Sequence, residues 1–108
     1  MNHDAFIREV RERAHIHSHE QAEAAIAATL SLLWERGWPE ESLNDLASQL
    51  PEELADYVRY DGEQKAQPFS VDEFFRRVAS REGADEPDAV YHARVVMEVL
   101  QEAVTGAR

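Results

Sequence analysis

The chain has 108 residues, enough for one domain that buries about two-thirds of its unfolded surface in a single core. Its 22 acidic residues face 11 basic ones, and the resulting formal charge of −11 repels a phosphate backbone and disfavours nucleic acid as a partner. Cysteine is absent, which excludes disulfides and thiolate chemistry, and no apolar run is long enough to span a bilayer.

The N-terminal MNHDAFIREV has no basic stretch leading into an apolar one, so a cytoplasmic protein without membrane contact is the expectation. Phe6, Ile7, Val10 and Ala14 recur at helical spacing opposite Arg8, Glu9, Arg11 and Glu12, which predicts a first helix over about 3–14. Ser18-His19-Glu20-Gln21 reads as a capping box. It opens a second helix running to about Arg36, with Ala22, Ala25, Ile26, Thr29, Leu30 and Leu33 inward and Gly37 as its stop. The small alanines predict close helix approach.

Pro39, with Glu40 and Glu41 at the positive end of the dipole, starts a short third helix that turns Leu43, Leu46, Ala47 and Leu50 inward. Pro51 has no amide to donate and restarts the chain into a fourth helix, Glu52 to Arg59, using Leu54, Tyr57 and Val58. The polar DGEQKAQP segment lacks periodicity and reads as a linker, giving a division into 3–60, a linker over 61–69, and 70–106. A second capping box, Ser70 to Glu73, opens a fifth helix carrying Phe74, Phe75 and Val78. Asp85 and Pro87 start a sixth, with Ala89, Ala93, Val96, Met97, Leu100 and Val104 inward and Gly106 at its end. No segment alternates as a strand does, so the chain is expected to be all-α: a compact bundle of about six helices.

A constant offset of 68 brings Asp4, Phe6, Arg8, Val10, Arg13, Ala25 and Leu32 onto Asp72, Phe74, Arg76, Val78, Arg81, Ala93 and Leu100. That pattern predicts an internal duplication in which each copy buries the same apolar stripe against a related neighbour.

The segments FIREVRERA, ATLSLLWER, LASQLPEELADYV, FSVDEFFRRVASREG and HARVVMEVLQEAVTG together resemble the prokaryotic family known as domain of unknown function 2267. The resemblance covers nearly the whole chain. Its most specific pieces are Gln49-Leu50-Pro51 followed by Glu52 and Leu54, and the stretch from Phe74 to Arg81. It implies an all-helical, internally repeated protein with no established activity or catalytic residues. Members of that family usually continue into a second leucine-and-QLP segment, whereas this chain stops at Arg108. The resemblance thus implies a truncated second copy and a surface left for a partner.

Candidate chemistry is sparse. His15, His17 and His19 are ligand types that zinc, nickel or copper accept, but a cap at Ser18 would make them straddle a turn, so the favoured reading is a solvated turn. The paired arginines Arg8/Arg76 and Arg13/Arg81 could grip an anion, although neighbouring carboxylates make internal ion pairs the better expectation. Glu40, Glu41, Glu52 and Glu53 read as helix-start residues, and Trp34, Trp38, Tyr57, Tyr60 and Tyr91 as core aromatics or groove lining. His92 falls at the margin of the last apolar stripe. No nucleophile–base pair or glycine-rich phosphate loop exists, and no cofactor is implied. The expected function is therefore a non-enzymatic protein-interaction or self-association module, possibly a homodimer, and the competing reading is a small metal- or ligand-binding protein built on His15, His17 and His19.

Overall fold

Two side chains, Asn2 and Ser70, each accept a backbone amide three residues on, from Ala5 at 2.7 Å and from Glu73 at 3.0 Å. Each opens a helix of 12 residues. The computed structural model describes residues 2–35, 40–58 and 69–105, the side chains of Trp34, Glu40 and Thr105 apart. Six helices lie among the described residues: α1 (His3–Ala14), α2 (His19–Glu35), α3 (Glu40–Gln49), α4 (Glu52–Val58), α5 (Val71–Glu82) and α6 (Glu86–Thr105). The radius of gyration, 13.0 Å, is that of a compact chain of this length.

The two helices α1 and α5 also end alike. His15 and Gly83 take left-handed backbone, φ 56° and 79°, at the residue after each helix. The next amides, of Ile16 and Ala84, reach back to the carbonyls of Arg11 and Ala79 at 3.0 and 3.1 Å. This closes the orphan carbonyls of a helix end and turns the chain sharply into the following helix. Ser18 accepts the Gln21 amide at 2.9 Å to start α2, as the capping box predicts. Pro51 ends α3 for want of an amide, and its carbonyl starts α4 by accepting from Leu54 at 3.0 Å and Ala55 at 2.8 Å.

Helix α2 is the axis of the fold, packing on all five others. Its burial is correspondingly all-round: Ala22, Ala25, Ile26, Ala28, Thr29, Leu30, Leu32 and Leu33 are all buried, where an edge helix would bury one stripe. Helices α1 and α5 each pack on both α2 and α6, while α4 and α3 cover a further side of α2 and α3 also touches α6. Phe6 and Phe74 both lie in this core, at 0% and 8% exposure. Burying a ring of that size contributes roughly 2–3 kcal/mol.

Most expected core positions are buried, including Leu43, Leu46, Ala47 and Leu50 on α3 and Ala89, Ala93, Val96 and Leu100 on α6. Phe75, Met97, Val104 and Tyr57 are only partly covered. Val95, Val99 and Ala55 are buried without having been expected, because α6 and α4 each meet more than one neighbour. Phe69, placed in the linker by its sequence, instead packs against the core with the Arg77 guanidinium 4.1 Å from its ring centre. The rest of the linker and the readings of Trp34, Trp38 and Tyr60 lie outside the described residues, as does the end at Gly106.

Candidate functional site

Helices α3 and α6 run side by side without filling the space between them. On α3, Ser42, Asp45, Leu46 and Gln49 follow helical spacing and share one face. On α6, Ala93, Arg94, Met97, Glu98, Leu100, Gln101 and Val104 do the same. Phe74 and Phe75 of α5, packed edge to face with centroids 5.5 Å apart, complete the lining. The result is a groove of about 790 Å³ with an apolar floor of Leu46, Phe74, Phe75, Met97, Leu100 and Val104. Its rim is polar.

That rim is specific to α6. The offset of 68 sets Arg94, Glu98 and Gln101 against Ile26, Leu30 and Leu33 of α2. The α2 residues are buried beneath their neighbours, whereas all three α6 residues are exposed. A face covered within the fold would be expected to carry apolar residues there, whereas these three polar side chains meet solvent.

Glu98 is positioned by Arg13, which binds α1 to α6. Arg13 donates to Glu98 at 2.7 Å, to both Glu102 oxygens at 2.6 and 2.8 Å, and to Glu9 at 3.1 Å. The fork to Glu102 raises the Arg13 pKa and holds the Glu102 carboxyl below its usual range. Arg81 ties α5 to α2 through Ser31 at 3.2 Å and Glu35 at 2.7 Å, and Arg76 stays within α5 on Glu73. Three of the four repeated arginines are thus engaged by the protein's own side chains. Arg8 makes no ion pair among the described residues.

A second feature lies inside the α5–α6 hairpin. Glu82 has a fully buried side chain, and its Oε2 is hydrogen-bonded to His92 Nδ1. The other oxygen, Oε1, has no hydrogen-bond partner among the described residues. Burial pushes the Glu82 carboxyl above its ordinary 4.5, and the His92 bond offsets part of that rise. His92 is buried, not marginal as the apolar stripe suggests, because Glu82 gives its ring nitrogen an acceptor there. Next to it Tyr91 is 45% exposed rather than part of the core; its hydroxyl donates to the Arg13 carbonyl at 2.6 Å, and its ring stacks on His15 at 6.5 Å.

A family model described as an uncharacterized conserved protein, DUF2267, matches residues 3–108. The chain belongs to the DUF2267 family. No curated protein and no solved structure gives a significant match.

In this DUF2267 chain the three candidate metal ligands occupy three different backbone settings. His15 is the left-handed residue closing α1, His17 lies in the turn, and His19 is the first residue of α2. The His17 carbonyl accepts from Arg11 at 3.2 Å, which anchors the turn through its backbone. Among the described residues no three His, Cys, Asp or Glu side chains are grouped to hold a metal ion. Likewise, among the described residues no helix is long and apolar enough to cross a membrane. Glu41, Glu52 and Glu53 are exposed at helix starts. The groove was beyond sequence reasoning, since its two walls lie some 50 residues apart and only their packing joins them.

Proposed function

We propose that this DUF2267 chain is a non-enzymatic interaction module that docks a helix, from another protein or a second copy, in the groove between α3, α5 and α6. The observation that carries the reading is the apolar floor of Phe75, Met97 and Val104, left partly open beneath a polar rim. Patches of this kind mark protein contact surfaces, and apolar grooves between helices receive helices through anchors at i, i+3/i+4 and i+7. A protein partner suits the charge of −11 better than nucleic acid does.

Support for a non-catalytic role comes from the titratable groups. The Glu82–His92 pair is largely covered, with side chains 0% and 10% exposed, which leaves a substrate little access to it. Among the described residues the groove lining supplies Asp45, Arg94 and Glu98 at its rim, and its one hydroxyl, Ser42, has no histidine or lysine among the other lining residues.

The duplication belongs to the same reading. The offset of 68 carries the bounds of α1 onto those of α5 residue for residue, together with their caps, which supports a repeated hairpin whose second copy contributes α5 and α6.

The test is binding of a fluorescent, helix-forming peptide with a leucine stripe and uncharged flanks, beside sedimentation velocity of the chain alone. Peptide binding or self-association, either one abolished by Met97→Glu, is expected. A chain that does neither refutes the proposal.

A further inference from the structure

Given that reading of the groove, we infer that its occupant is a basic amphipathic helix of another protein, about three turns long, with lysine or arginine flanking its apolar stripe. The length follows from α6, whose lining residues run from Ala93 to Val104. Eleven steps at about 1.5 Å give a floor about 16 Å long, which is three helical turns. The floor offers Leu46, Phe75, Met97 and Val104 to a stripe of that length, so three apolar anchors one turn apart match it.

The sign of the flanks follows from the rim and from the whole chain. Asp45 stands on the α3 wall, with Glu41 one turn before it on the same face, and both are exposed. Glu98 stands on the α6 wall, paired with Arg13, which offsets part of its charge, with 62% of its side chain still exposed. Arg94 is the single cation among the lining residues. The chain as a whole carries a formal charge of −11. A second copy would bring an equal charge to the same face, and repulsion acts within a screening length of about 8 Å at physiological salt. A cationic helix is instead drawn to the groove and seated by its apolar stripe. The exposed Arg94, Glu98 and Gln101 fit a partner that comes and goes, since the uncovered state leaves a hydrated rim.

Three synthetic peptides of about twelve residues test this, sharing one leucine stripe and differing only in lysine, glutamine or glutamate flanks. Their affinities for the full chain are read by fluorescence anisotropy at low and high salt. The lysine peptide is expected to bind at least about tenfold more tightly than the glutamate peptide, and salt should erase most of that advantage. Asp45→Lys should weaken the lysine peptide several-fold with an unchanged circular dichroism spectrum. Met97→Glu should weaken it too, although that substitution adds negative charge. Equal binding of all three peptides overturns the charge inference while leaving the groove a docking site. Binding unaffected by Met97→Glu overturns it because contact is then elsewhere. Self-association blocked by Met97→Glu, without peptide binding, assigns the groove to a second copy and overturns it as well. No binding and no self-association refute the wider proposal.

Discussion

The buried Glu82–His92 pair makes a prediction that can be worked from its geometry. Changing His92 to Ala leaves the buried Glu82 carboxyl with no hydrogen-bond partner on either oxygen among the described residues. Leaving a buried polar group unpartnered costs about 1–3 kcal/mol, a sizeable share of the roughly 5–15 kcal/mol that holds a domain together. Glu82→Ala likewise leaves the His92 ring nitrogen without its partner, about 1–3 kcal/mol. The double variant leaves neither group unpartnered, so its cost should fall short of the sum by about 1–2 kcal/mol. Urea denaturation of the four proteins, followed by far-UV circular dichroism, measures this cycle. Glu82→Gln adds a pH test. Because burial raises the folded-state pKa above 4.5, folding favours the protonated carboxyl. Its contribution is complete below pH 4.5 and is lost as pH rises through the folded value. Glu82→Gln should therefore gain on the parent protein as pH rises from 4.5 and then level off. Additive single costs, with parallel pH curves, would refute the reasoning.

Three further substitutions isolate single causes. At Gly83 an added Cβ meets nothing within 4 Å, so Gly83→Ala should cost about 1 kcal/mol from left-handed backbone alone, and His15→Gly should return up to about that amount minus its Tyr91 stacking, both read as shifts in melting temperature. The Thr29 hydroxyl is buried with no hydrogen-bond partner among the described residues, so the isosteric Thr29→Val should stabilise the chain by about 1–2 kcal/mol in urea denaturation. Arg13→Gln should loosen α1 from α6. Its loss should be greatest above pH 4.5, where Glu102 is ionised, and should vanish as pH falls through the lowered Glu102 value in an acid titration of both proteins.

The helices were legible because each is punctuated locally. Ser18 and Ser70 cap where they stand, Pro51 must break a helix, and the apolar spacing from Phe6 to Ala14 admits one period. What was not legible depends on which faces meet. Glu82 follows Arg81 at a helix end, where an ion pair with a neighbouring arginine was the expectation, yet the hairpin turn at Gly83 folds it inward onto His92. Met97 and Val104 share the period of the buried stripe, but only the separation of α3 from α6 leaves them partly open. The histidines of the first turn were legible as a turn. Their density in sequence raised a shared site only as the competing reading, because the cap at Ser18 already implied a turn, and the left-handed residue at His15 gives each of them a different backbone setting.

Amide chemical shifts of the isotopically labelled chain, recorded while the lysine-flanked peptide is added, test the docking groove most directly. The changes should cluster on Asp45, Leu46, Gln49, Phe75, Met97, Gln101 and Val104, and should saturate. Saturating changes centred on the α1–α2 turn, or none at any peptide concentration, would contradict the account.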